Sequence, residues 1–113
     1  MNDAPEISAR RVIRVTAGGS PAFQLRKGEE GLSVFDPDAV VPPLSEEEIL
    51  DTFRPGSLTV VRSVADIETK GLQIIPLEGA DTLPDRLRQA HHEIRPGTSM
   101  SRADFKRALR ELE

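Results

Sequence analysis

The chain has 113 residues, a formal net charge of −4 and no cysteine. This length predicts one domain, from residue 1 to residue 113. The charge gives no strong nucleic-acid signal, and the missing thiols exclude disulfides and cysteine-based zinc sites. No apolar run reaches membrane-spanning length, and residues 1–10 lack the apolar core of a signal peptide. We therefore expect a cytoplasmic protein with no membrane partner. Delivery into another cell by a non-Sec route would not require a signal peptide.

The first third of the chain predicts short strands separated by turns. Residues 1–9 are small and polar, which is typical of a flexible lead-in. Residues 11–16 are mostly β-branched and predict a strand, and residues 22–26 predict a second short strand. After the turn chemistry of KGEEG, residues 32–35 predict a third strand, which ends at an Asp-Pro pair.

A short helix follows an extended segment. Residues 38–44 contain a Pro-Pro pair and are expected to be extended and not helical. Ser45 and Glu48 then form a capping box, with Ser45 as the N-cap. The apolar stripe of this helix is formed by Ile49, Leu50 and Phe53.

The second half alternates between strands and helices. Residues 58–61 predict a buried strand, and residues 65–70 predict a short helix or turn closed by Gly71. Residues 72–75 predict another strand, and residues 83–89 a helix.

The last predicted element is the clearest helix in the sequence. Ser101 and Asp104 form a second capping box. One face of the helix carries Phe105, Ala108, Leu109 and Leu112. Short strands interspersed with short helices, without a long βαβ unit, predict the α+β class with a mixed or antiparallel sheet.

Both histidines of the chain lie in residues 86–96, together with three arginines and a glutamate. The segment reads as a solvated helix end with charge pairs, or as a helix followed by a strand at residues 90–95, where side chains alternate with period two. His91 and His92 are adjacent, so they diverge on a strand or a helix and do not chelate one ion together. We therefore expect no metal site.

Ser33 stands between apolar neighbours on its predicted strand, either as a tolerated polar residue on the outer face or as a ligand-binding hydroxyl. The stretch GLSVFD around it is followed in order by Leu83-Pro84, Arg86-Leu87, His91, Ile94, Pro96 and Met100. This ordered set resembles the signature of type VI secretion effector toxins with an ADP-ribosyltransferase-like fold. The resemblance covers roughly two thirds of the chain, from residue 31 to the C-terminal helix.

The resemblance implies a small split sheet and an NAD-binding cleft. Ser33 would line this cleft, and His91 would face it from a strand at residues 90–95. Arg14 fits the position where ADP-ribosyltransferases place an Arg or His against the dinucleotide. Its guanidinium could bind a pyrophosphate through two hydrogen bonds. The other interpretation is that Arg14 is a simple charged residue on an edge strand. Leu32 stands where the toxins have Thr.

The usual catalytic Glu of these enzymes has no clear counterpart in the sequence. Glu93, Glu29 and Glu30 are the carboxylates nearest to the expected cleft, and none of them is assigned the role.

The resemblance therefore implies a cytoplasm-acting toxin that transfers ADP-ribose from NAD to a macromolecular acceptor. Such a toxin needs an immunity or antitoxin partner in the cell that makes it. Two alternatives remain open from the residues. A His with a phosphate-binding Arg also suits a metal-independent ribonuclease, and the acidic pI of about 5.2 suits a non-enzymatic module that binds a basic protein.

Overall fold

A computed structural model describes residues 10–113, and the predicted flexible lead-in at residues 1–9 lies outside them. The strands are β1 (Arg11–Ala17), β2 (Leu32–Phe35), β3 (Ser57–Ser63), β4 (Gln73–Pro76) and β5 (His91–Arg95). The helices are α1 (Glu46–Leu50), α2 (Val64–Thr69), α3 (Asp85–Ala90) and α4 (Arg102–Arg110), with a 3-10 helix at Pro37–Ala39.

The five strands form one antiparallel sheet in the order β3-β1-β2-β5-β4, which confirms the α+β class. Every strand pair is antiparallel, so the mixed alternative is wrong. The sheet is continuous and not split into two, but the joint between β1 and β2 in its centre is narrow. β1 pairs with β3 over seven positions, whereas it pairs with β2 only at Ile13 and Phe35.

Both faces of the sheet are covered, which explains why the central strands carry consecutive apolar residues. Val12 and Val34 belong to the core on the side of α2 and α4. Ile13 and Phe35 belong to the core on the side of α1 and α3. Adjacent strand residues point to opposite faces, so each apolar pair serves both cores.

Two predicted elements differ from the structure in their backbone. Residues 22–26 are not a strand, although Ala22, Phe23 and Leu25 are buried. The amides of Ala22 and Phe23 donate to the Glu113 carboxylate at 2.9 and 2.6 Å and not to a neighbouring strand. Within the segment predicted to be extended, Asp38 and Ala39 belong to the 3-10 helix, because only the residue directly before a proline is held out of helical geometry.

The strand predicted at residues 58–61 is confirmed, but the prediction that it is buried is wrong. β3 is an edge strand with half-buried side chains, and Leu58 is 54% exposed. An edge strand has a neighbour on one side only, so its side chains stay partly open to solvent.

The predicted helix caps are confirmed at Ser45 and Ser101, whose hydroxyls accept the amides of Glu48 and Asp104 at 3.0 and 3.1 Å. The Glu48 carboxylate does not complete its box. It pairs with Arg86 at 2.7 Å, and this hydrogen bond lowers the pKa of Glu48. The pair ties α1 to α3 above the core they share. None of the helices in residues 10–113 is long and apolar enough to cross a bilayer.

Candidate functional site

Ser33 is the one exposed residue of β2, whose other three residues are buried. The register pairs Ser33 with Glu93 and Phe35 with His91, so these four side chains share one face of the sheet. Phe35 packs in the core that α1 and α3 cover. These helices leave the Ser33 end of the face open, and the opening is the candidate site.

His91 connects Ser33 to a backbone carbonyl. Its Nε2 lies 2.9 Å from Ser33 Oγ, and its Nδ1 lies 2.6 Å from the carbonyl oxygen of Leu77. A carbonyl oxygen only accepts hydrogen bonds, so Nδ1 carries the proton. In the neutral ring Nε2 is then the acceptor, and the Ser33 hydroxyl donates to it. The lone pairs of Oγ stay free for a bound molecule.

The tautomer of His91 is directly measurable. We expect long-range 1H–15N correlation spectra to show neutral His91 protonated at Nδ1, because the Leu77 carbonyl selects that tautomer. Ser33→Ala should leave this assignment unchanged, since the Leu77 contact is intact in that variant. A neutral ring protonated at Nε2 would contradict the proposed direction of the Ser33 hydrogen bond.

Arg14 fills the narrow joint between β1 and β2. Its Nε donates to the Ala22 carbonyl at 2.8 Å, and its Nη1 donates to the Ser33 carbonyl at 2.9 Å. Burial lowers the pKa of Arg14 from its ordinary value, and the nearby Glu29 carboxylate opposes that change. Of the three guanidinium nitrogens of Arg14, only Nη2 has no hydrogen bond to residues 10–113. An anion could therefore contact this one nitrogen but could not form the bidentate pair that a free guanidinium offers.

Arg14, Ser33 and His91 line one cavity of about 230 Å³. The remaining lining residues are Val15, Phe35, Phe53, Ala80, Thr82 and Leu83. Val15 and Phe53 also border a depression of about 560 Å³, and Arg14 borders another of about 170 Å³. Ligand sites usually occupy about 300–1,000 Å³, so the central cavity by itself suits one ring or acyl group.

Ala80, Thr82 and Leu83 form one wall of the cavity, and Gly79 allows their segment to approach His91 closely. The Gly79 amide donates to the Arg88 carbonyl at 3.0 Å. A Cβ at this position would come within 2.8 Å of the Leu83 side chain and 3.2 Å of His91 Cβ. A larger residue would therefore push the wall away from the imidazole.

The three carboxylates considered for a catalytic role are all near the site and all engaged. Glu93 lies opposite Ser33 in the register and pairs with Arg95 at 2.8 Å. Glu30 approaches the same arginine at 3.6 Å. Glu29 borders the 170 Å³ depression and accepts the Arg26 amide at 2.7 Å. None of them lines the central cavity.

His92 lies on the opposite face from His91, as strand geometry requires. It is buried, and its Nδ1 lies 3.0 Å from the Ala90 carbonyl. In the part of the chain that the structure describes, no three His, Asp or Glu side chains are grouped to hold a metal ion.

Several residues of the site were not predicted from the sequence. The Leu77 and Ala22 carbonyls carry no side-chain signal, since any residue supplies them. Phe53 was predicted only as part of a helix stripe, although it follows α1 and lines the cavity. Thr82 lies in a segment that gave no motif. Comparison with protein-family models, curated proteins and solved structures gives no match for this chain.

Proposed function

We propose that this chain is a cytoplasm-acting toxin that transfers ADP-ribose from NAD to a macromolecular acceptor, and that an immunity protein neutralises it. One observation carries the proposal. Residues from three separate strands, Arg14, Ser33 and His91, meet at one cavity, and the resemblance to the toxins singled out Ser33 and His91 from the sequence alone. The ADP-ribosyltransferase-like fold is part of the same proposal.

The cavity offers groups that fit the nicotinamide end of the dinucleotide. Phe35 and Phe53 supply aromatic walls, with their ring centroids 6.2 Å apart. The Ser33 hydroxyl supplies a hydrogen-bonding group for the amide or ribose, and His91 holds that hydroxyl in place. Arg14 has Nη2 left for a phosphate oxygen. When bound, NAD supplies the ADP-ribosyl group, with nicotinamide as the leaving group.

Inducible expression in bacteria without a partner tests the toxin function. We expect growth arrest with the unmodified chain and normal growth with Ser33→Ala or His91→Ala, because each variant breaks the pair at the cavity. Ser20→Ala is the matched control, since Ser20 is exposed and lies outside the cavity lining. Harmless expression of the unmodified chain, at an abundance equal to that of the variants, would contradict toxicity and favour the non-enzymatic module.

The chemistry is tested separately with purified protein and lysate. NAD labelled in its adenylate part is expected to leave label on protein or nucleic acid, with transfer reduced about 100-fold in His91→Ala. Growth arrest without any transfer of label would contradict the NAD chemistry while leaving the toxin function in place.

A metal-independent ribonuclease is the second candidate, favoured by one specific observation. His91 and Arg14 line the same cavity, and metal-free phosphodiester cleavage needs a proton acceptor and a phosphate-binding cation. RNA fragments that appear in the same lysate without transferred label, and in the presence of a metal chelator, would identify this activity.

A further inference from the structure

We propose that Ser33 is a base-activated nucleophile that forms a covalent ester with small carboxylic esters and organophosphorus reagents. This activity stands apart from NAD chemistry, in which Ser33 would act as a binding group. It rests on the direction of the hydrogen bonds at His91, on the exposure of Ser33 and on the walls of the central cavity.

The hydrogen bonds set His91 to take a proton from Ser33. The Leu77 carbonyl fixes the Nδ1 proton, so the free lone pair of the neutral ring is on Nε2, 2.9 Å from Oγ. Phe35 contacts the ring edge to face, with centroids 5.8 Å apart, and holds the imidazole in this position. A nucleophile, a base within hydrogen-bonding reach and a third group that orients the base are the elements of an activated serine.

The exposure of the two side chains fits their roles. Ser33 is exposed and can meet a reagent, whereas His91 is only 8% exposed and is shielded from it. Phe53, Ala80 and Leu83 give the cavity a largely apolar lining. A volume of about 230 Å³ suits an aromatic or short acyl group.

Arg14 holds the backbone of Ser33 in place. Its Nη1 donates to the Ser33 carbonyl at 2.9 Å, and its Nε donates to the Ala22 carbonyl at 2.8 Å. Arg14 follows Val12 by two positions on β1 and so lies on the face that α2 and α4 cover, whereas the Ser33 and His91 side chains lie on the other face. Arg14 therefore positions the nucleophile through its backbone.

The step is balanced within this set of groups. Ser33 Oγ bonds to the carbonyl carbon of the ester while its proton passes to His91 Nε2. The imidazolium returns that proton to the departing alkoxide, and an acyl group stays on Oγ. Water then attacks the acyl carbon, gives one proton to Nε2 and releases the acid, and Oγ regains its proton. With a fluorophosphonate, the Oγ–P bond forms as the Oγ proton passes to His91 Nε2, the P–F bond breaks and fluoride leaves. The imidazolium then gives its proton to water.

The Leu77 carbonyl is a neutral acceptor, whereas a carboxylate orients the base in serine hydrolases. It fixes the tautomer but stabilises the imidazolium less. We therefore expect ester hydrolysis to be slow. Covalent labelling of Ser33, which does not depend on turnover, is the more sensitive test.

The test is to incubate the unmodified full chain with a fluorophosphonate carrying a phenyl group and to map the label by peptide mass spectrometry. We expect one label per chain, on Ser33. Label absent from Ser33, or spread equally over exposed serines such as Ser20, would overturn the proposal. Because this measurement uses the unmodified chain, misfolding of a variant cannot hide a negative result.

Variants then test the base. His91→Gln is expected to label about 100-fold more slowly than the unmodified chain, since the glutamine amide cannot take the proton. His92→Gln, which changes the imidazole on the other face, is the control and should label at the original rate when its thermal midpoint is unchanged. Equal labelling rates for folded His91→Gln and the unmodified chain would overturn base activation. None of these labelling experiments uses NAD, so a negative result would count against the activated serine and not against ADP-ribosyl transfer.

Discussion

Gly97→Ala is expected to lower the free energy of unfolding by about 3 kcal/mol. A Cβ at this position would overlap the carbonyl oxygen of Gly71. The atoms in conflict belong to the backbone, so no side-chain rotation relieves the overlap, and the segments after α2 and β5 must separate. The measurement is urea unfolding followed by circular dichroism, with the free energy extrapolated to water.

Gly19→Ala is the matched control for this prediction. Gly19 has a φ of 85°, and a Cβ added there would meet no atom within 4 Å, so the substitution meets backbone strain without a clash. We expect it to cost about 1 kcal/mol. A loss at Gly97 no larger than the loss at Gly19 would show that the two segments move apart freely.

The register around Ser33 follows from patterns that the sequence carries. Alternation at residues 90–95 left a helix end and a strand both open, the resemblance implied the strand, and β5 is observed at His91–Arg95. Gly31 stands directly before β2 because a Cβ there would come within 2.8 Å of the Ile94 carbonyl oxygen. The same pairing places Phe35 opposite His91, so local patterns and register together bring Ser33 and His91 to one face.

The supports of the site could not be predicted in this way. Residues 22–26 were predicted to be a strand, but the amides of Ala22 and Phe23 donate to the Glu113 carboxylate far along the chain and not to a neighbouring strand. The carbonyl that orients His91 belongs to Leu77, in a segment without regular structure. Backbone groups of irregular segments have no residue type as a signal, so only the tertiary fold reveals them.

Arg14→Met is expected to cost about 3 kcal/mol of stability, because it removes two charge-assisted hydrogen bonds at the narrow joint of the sheet. The Ala22 and Ser33 carbonyls lose their partner, and Ile13–Phe35 is then the only pairing that holds β1 to β2. Arg11→Met, an exposed change on the same strand, is the control and should stay within about 0.5 kcal/mol of the unmodified chain. Urea unfolding measures both variants, and equal losses would contradict the bridging role.

Arg14→Lys separates the structural role of Arg14 from a role in binding. Lysine keeps the positive charge, but one ammonium group lacks the planar fork that reaches two carbonyls at once. We expect a stability between those of the Met variant and the unmodified chain. If Arg14 also contacts an anionic ligand through Nη2, the Lys variant loses growth arrest and label transfer at a temperature where it remains folded. Full activity in folded Arg14→Lys would contradict a need for the guanidinium fork in ligand binding, because a positive charge alone would then be sufficient at this position.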